Sequence, residues 1–146
     1  MLRLNARARY AVRIMVRVAT ASSASPAHKR AIAEAEGISS DYVEQILLKL
    51  RSAALVVSHR GLRGGFSLAR PAARISVKEV LEAVDGPLSL APCTADNCLR
   101  ASECATRPLW RKAEAALCAV LEQTTLADLA EQARALEENV SWSFQI

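Results

Sequence analysis

Three cysteines are the residues of this chain best suited to chemistry. The stretch Cys93-Thr-Ala-Asp-Asn-Cys98-Leu-Arg-Ala-Ser-Glu-Cys104 separates them by four and then five residues. The residues between are mostly small or polar and can fold as a loop that turns all three sulfurs toward one point. Thiolates are soft ligands and select iron–sulfur clusters, zinc or copper(I). The fourth cysteine, Cys118, stands apart and reads as a small core residue of a helix. Three grouped thiols with the fourth distant make an incomplete metal or cluster cage.

Whether such thiols ligate or cross-link depends on the compartment. The opening Met1-Leu-Arg-Leu-Asn-Ala-Arg-Ala-Arg is basic but leads into no apolar core, because Arg13 and Arg17 interrupt it, so no signal peptide is expected. No run of eighteen apolar residues exists, and no membrane partner is expected. The expected location is the cytoplasm, where thiols stay reduced and metal binding or redox sensing is a better reading than a disulfide framework. A cysteine nucleophile would need a base. Only His28 and His59 are available, and both are distant in sequence from the cysteines. The chain is therefore not expected to be an enzyme.

The elements around the loop must supply the function. Residues 1–74 carry 13 Lys/Arg and 4 Asp/Glu, a net of +9, and residues 75–146 carry 6 and 11, a net of −5; together they give the chain's +4. A basic first half on an acidic second half points to a nucleic-acid binder joined to something else. Aromatics are only 4% of the chain, so Ala, Leu and Val must do the packing, which favours helices.

Ala11, Ile14, Met15, Val18 and Ala19 predict a helix over about 6–20. Arg9, Arg13 and Arg17 form a separate stripe, placed for phosphates or a partner. The segment 30–50 follows helix-turn-helix grammar. Ala33 allows close approach, Gly37 frees the turn, and Val43 and Ile46 face inward six and nine residues later. Ser39 or Ser40 can cap the second helix, and Asp41 with Glu44 is spaced as a capping pair. Its exposed positions would be Ser40, Asp41, Gln45 and Lys49, with Tyr42 at its start. Gln45 can read an adenine edge, Ser and Tyr can bond bases or phosphates, and Lys49 suits the backbone. Leu55 to Arg60 and Phe66 to Ala69 alternate as two strands around Gly61-Leu-Arg-Gly64-Gly65, with Arg60 and Arg63 flanking a wing tip suited to a minor groove. No Gly-Lys-Ser/Thr follows, so this is not a nucleotide loop. Ser76 and Glu79 form a capping box before a helix that Gly86 stops. A long helix follows over 108–123, with Trp110, Ala113, Leu117 and Val120 as a seam for a second copy. Thr125 and Asp128 start a short last helix reaching Leu136.

Arg9-Tyr10-Ala11-Val12, Tyr42-Val43-Glu44-Gln45, Arg60-Gly61-Leu-Arg-Gly64-Gly65, the capped helix from Ser76 and the cysteine trio occur in one order over nearly the whole chain. In this the chain resembles the IscR/NsrR/RirA group of bacterial winged-helix regulators that carry an iron–sulfur cluster. The resemblance implies Cys93, Cys98 and Cys104 as cluster ligands. It also implies Ser39, Asp41, Tyr42 and Gln45 as DNA contacts of the recognition helix, and Arg60 and Gly61 as contacts of the wing. Asp41 replaces the commoner serine. Arg107 stands where IscR-like members have a histidine ligand, and Arg9 where some NsrR-like members use an aspartate from the partner's first helix. A 4Fe–4S cube with an open corner is expected ahead of 2Fe–2S.

The expected fold is mainly α with a small β-hairpin wing, a winged helix-turn-helix plus a long dimerisation helix. Its expected division is a DNA-binding domain over 1–86, a cluster loop over 87–107 and a dimerisation region over 108–146. The expected function is a homodimeric repressor of a pseudo-palindromic double-stranded operator, with its grip set by an iron–sulfur cluster sensing nitric oxide, redox state or iron supply. The alternative is a winged-helix repressor whose cysteines bind zinc or act as thiol switches.

Overall fold

The computed structural model describes residues 4–21, 25–61, 64–94 and 98–143, and the side chains up to 138. Six α-helices and one antiparallel hairpin follow in the order α1 (Ala6–Thr20), α2 (Lys29–Glu36), α3 (Ser40–Ser52), β1 (Val56–His59), β2 (Gly65–Leu68), α4 (Val77–Asp85), α5 (Arg107–Gln123) and α6 (Leu126–Ser143).

Local chemistry accounts for the boundaries. The Asn5 side chain accepts from the Ala8 N–H and starts α1. Gly37 takes a left-handed conformation (φ 65°) that closes α2, and the Ile38 N–H donates to the Ala33 carbonyl across the turn. The Ser39 hydroxyl accepts from the Tyr42 N–H and caps α3. The expected pairing of Asp41 with Glu44 is not used, since Glu44 binds Lys29 at 2.5 Å. Both arms of the Ser76–Glu79 capping box form. The Thr125 hydroxyl and N–H both meet the Asp128 carboxylate to start α6, which runs beyond the expected Leu136 to Ser143.

The hairpin pairs Val56 with Leu68, Val57 with Ser67, Ser58 with Phe66 and His59 with Gly65. Ala27 adds a short third edge, exchanging two 2.9 Å backbone hydrogen bonds with Phe66. At Gly64 a Cβ would fall 2.4 Å from the His59 carbonyl oxygen, so the hairpin closes only without a side chain there.

The main core joins Ile14, Met15, Ile46, Leu47 and Leu50 to Ile75, Val80 and Val84, and Leu126 of α6 is fully buried with them. Each such side chain contributes about 1.5–3 kcal/mol by leaving water. A smaller cluster of Ala8, Val77 and Leu81 receives Leu88, Leu121 and Leu129. The start of α6 is thus part of the winged-helix core, and α6 packs along α1. By contrast α5 buries none of its residues, and Leu109, Trp110, Leu117 and Val120 stand exposed.

The arginine stripe of α1 has a role inside the chain. Arg17 Nε donates to Glu36 Oε1 at 2.9 Å, and Arg13 ion-pairs with Oε2 without hydrogen-bond alignment. The Glu36 side chain is only 2% exposed. A buried carboxylate is stable only with such partners, so Arg13 and Arg17 are committed to holding α2 on α1. Arg9 remains exposed.

Candidate nucleic-acid interface and cysteine loop

The first turns of α3 carry most of the side chains expected to contact DNA. Ser39, Asp41 and Gln45 are exposed there, with Ser40 half-buried. Asp41 lies in the first turn, where a carboxylate is favoured by the helix dipole. Ser39 and Ser40 line a shallow groove with Arg30 and Glu34 of α2. Arg30, exposed beside the cap of α3, was not singled out from the sequence, where it reads as one more charge on an amphipathic helix. Tyr42 is half-buried, its ring edge-on to Tyr10 at 6.1 Å, so its body braces α3 on α1. Lys49 sits one face round and donates to the Val84 carbonyl at 2.8 Å, joining α3 to the last turn of α4. In the wing, Arg60 is exposed, Gly61 has φ 100°, and His59 Nε2 is 2.7 Å from the Ser67 hydroxyl. Arg63 lies outside the described residues.

The cysteine loop leaves α4 at a fixed point. The Asp85 carboxylate accepts from Arg7 (2.8 and 2.5 Å) and from Asn5 (2.6 Å). The loop then turns through a short 3-10 segment, Pro92–Thr94, that carries Cys93. Arg107 Nε donates to the Cys93 carbonyl at 3.0 Å. Arg107 therefore serves as a backbone brace for the turn that carries Cys93. Cys98 and Cys104 follow in a run of turns, and residues 95–97 lie outside the description.

Cys93, Cys98, Cys104 and Cys118 are all half-buried free thiols. The Thr106 hydroxyl, 3.4 Å from Cys104 Sγ, together with the N–H groups of Thr106 and Arg107, holds that thiol below its usual range. Three reduced sulfurs are a donor set that suits a soft metal or an iron–sulfur cluster. Among the described residues, no three His, Cys, Asp or Glu side chains are gathered as a metal would need. The donor chemistry fits a soft metal or a cluster, which Cys93, Cys98 and Cys104 would hold. No helix among the described residues is long and apolar enough to cross a membrane.

A helix-turn-helix followed directly by a glycine-closed hairpin and a long exposed helix defines a mainly helical winged-helix DNA-binding regulator. The comparisons narrow the class. Residues 4–132 match the Rrf2 family model, described as an iron-dependent transcriptional regulator, and the chain belongs to that family. It is 42% identical over 142 residues to a Mycobacterium tuberculosis (strain ATCC 25618 / H37Rv) protein named as an HTH-type transcriptional regulator, covering 96% of this chain and 87% of the relative. It is 37% identical over 137 residues to the HTH-type transcriptional regulator IscR of Escherichia coli O1:K1 / APEC, covering 93% and 85%. Among solved structures, CymR, the global cysteine regulator of B. subtilis, superposes with a TM-score of 0.78 at 32% identity, covering 90% of this chain and 98% of CymR. IscR of T. potens superposes with 0.75 at 31% identity, covering 90% and 88%. The expected resemblance to the IscR group and the expected fold class are both borne out.

Proposed function

We propose that this Rrf2-family regulator is a homodimeric, cytoplasmic repressor whose operator affinity is set by an iron–sulfur cluster held on Cys93, Cys98 and Cys104. The observation that carries the reading is a loop with three free thiols strung between α4, which is hydrogen-bonded to the recognition helix, and α5, which is unburied. Ser39, Ser40, Asp41, Tyr42 and Gln45 would meet the major groove, and Arg60, Gly61 and Arg63 the minor groove or its phosphates. Lys49 is the exception, because its ammonium serves Val84. Two copies paired along Trp110, Leu117 and Val120 would present their α3 helices to half-sites about 34–36 Å apart on a pseudo-palindrome.

A bound cluster would supply a centre that nitric oxide, oxidants or iron shortage can alter. With three protein thiolates, a 4Fe–4S cube with one open corner is our reading ahead of 2Fe–2S. The chain's own part is to hold Cys93 against α5 and to fix the loop's origin at Asp85, so that a change in the loop reaches both DNA-facing and pairing elements. A coupling on the order of 1–3 kcal/mol between loop state and DNA binding is the scale for such switches. A second reading is favoured by one observation: the Thr106 hydroxyl and neighbouring N–H groups hold the Cys104 thiol below its usual range, while no three ligating side chains are gathered among the described residues. Reversible oxidation would then change the loop without metal.

Anaerobic purification, with iron and sulfide counted and the visible spectrum recorded, separates the two. The cluster reading expects a coloured protein that bleaches with nitric oxide or air and changes its affinity for its operator as it does so. A colourless protein that cannot be reconstituted, and whose DNA binding follows thiol oxidation instead, would establish the second reading.

A further inference from the structure

We infer that Glu114 is the positioning residue that latches the cysteine loop to α5 and sets Cys93 in place. This inference rests on the reading of the loop as the regulatory site. One atom makes the latch: Glu114 Oε2 accepts from the Leu90 N–H at 2.7 Å and lies 2.8 Å from the Thr94 hydroxyl. Ser89 closes the same knot, its hydroxyl 3.0 Å from the Ala91 carbonyl oxygen and 3.2 Å from Thr94 Oγ1. Thr94 is only 7% exposed although it sits in a polar surface loop.

Glu114 and Arg107 are seven residues apart on α5, two helical turns, and so share one face. Arg107 holds the Cys93 carbonyl and Glu114 holds the next residue's hydroxyl, so the Cys93 turn is gripped from both sides. The Cys104 thiol meets α5 only at its first residue, through the Thr106 and Arg107 N–H groups, whereas the turn carrying Cys93 is held by side chains of α5 at both Arg107 and Glu114. Since α5 carries the exposed apolar seam, the latch also ties the state of the loop to the pairing surface.

Because both contacts use one oxygen, Glu114→Gln can keep them through its amide carbonyl, whereas Glu114→Ala removes them. Glu122→Ala, on the same helix and away from the loop, is the control. The first measurement uses the metal-free full chain, in which Leu90 amide exchange and iodoacetamide alkylation of Cys93 relative to Cys118 are followed by mass spectrometry. Glu114→Ala is expected to raise both rates about tenfold, the scale of losing a pair of ordinary hydrogen bonds, while Glu114→Gln, which keeps the pair without the charge, and Glu122→Ala stay near wild type. The second uses anaerobically reconstituted protein and the rate of iron release to a chelator, expected to rise about tenfold in Glu114→Ala alone. Unchanged Leu90 exchange and Cys93 alkylation in Glu114→Ala would overturn the latch, as would iron release at the wild-type rate. A wild-type chain that takes up no iron would instead sink the cluster reading, and the metal-free measurement would still decide the latch.

Discussion

At the scale of single residues, several charges that look solvent-directed are used inside the chain. Lys49 is the clearest case. A lysine on the recognition helix reads as a phosphate contact, yet its ammonium caps the carbonyl end of α4. The two roles separate in the salt dependence of binding to mixed-sequence duplex DNA. Each phosphate contact contributes about 0.9 to the slope of log affinity against log salt. Lys49→Met is expected to leave that slope unchanged while loosening α3 on α4, and a slope shallower by about 0.9 would return Lys49 to the DNA. Glu36, Arg13 and Arg17 carry the same lesson. The i, i+4, i+8 arginines are visible in the sequence, but their shared partner lies on a different helix. Glu114 likewise gives no signal in the sequence until the loop is folded against it.

At the scale of elements, helix ends were the most legible features, because capping is decided by residues three or four apart. The Ser76–Glu79 box and the Thr125–Asp128 start both form as the spacing predicts. Helix lengths were less legible: α6 passes Leu136 and reaches Ser143, and just past Leu136 its Glu137 pairs with Arg17 of α1. The caps also set the acid limit of the fold. Burial pushes the Glu79 carboxyl up, but the Ser76 N–H and Arg70 outweigh it and leave it below its ordinary range. The Thr125 hydroxyl and N–H lower Asp128, and the Leu90 N–H and Thr94 hydroxyl lower Glu114. Each group binds its proton more weakly folded than unfolded, so its contribution is present above the unfolded carboxylate range near pH 4 and is lost as pH falls through the folded value. Thermal melts from pH 7 to pH 3 should therefore show a midpoint that falls only below about pH 4.5. Ser76→Ala, costing about 1 kcal/mol as a lost cap, should lower the neutral midpoint by a few degrees and flatten that fall.

At the scale of the whole molecule, α5 is the element whose surroundings are incomplete. Leu117 and Val120 are 39% and 62% exposed on a helix with no buried residue. Aliphatic side chains repeating at three- and four-residue intervals on one face make a seam suited to a second helix. If two copies meet there, Leu117→Asp should shift the protein to monomer in sedimentation and weaken operator binding by more than tenfold, since two half-sites would no longer be engaged together. Its melting midpoint at high dilution should stay near wild type, because the winged-helix core does not use Leu117. A variant that remains dimeric would move the pairing surface elsewhere.

The one-dimensional pattern by itself determined the class of fold, the turn at Gly37, the wing at Gly61 to Gly65, the caps, and the three sulfurs in one loop. All of these depend on residues within a few positions of one another, where spacing and backbone freedom decide the outcome. Only the tertiary structure decided that Arg13 and Arg17 serve Glu36, that Lys49 serves Val84, that Leu126 joins the winged-helix core, and that Glu114 and Arg107 grip the turn carrying Cys93. The hydrogen-bonded and ion-paired partners lie 14 to 35 positions apart, and Leu126 lies further still from most of the core it joins. A charge cannot reveal its partner across such a separation until packing has brought the two helices, or the loop and its helix, within a hydrogen bond of each other.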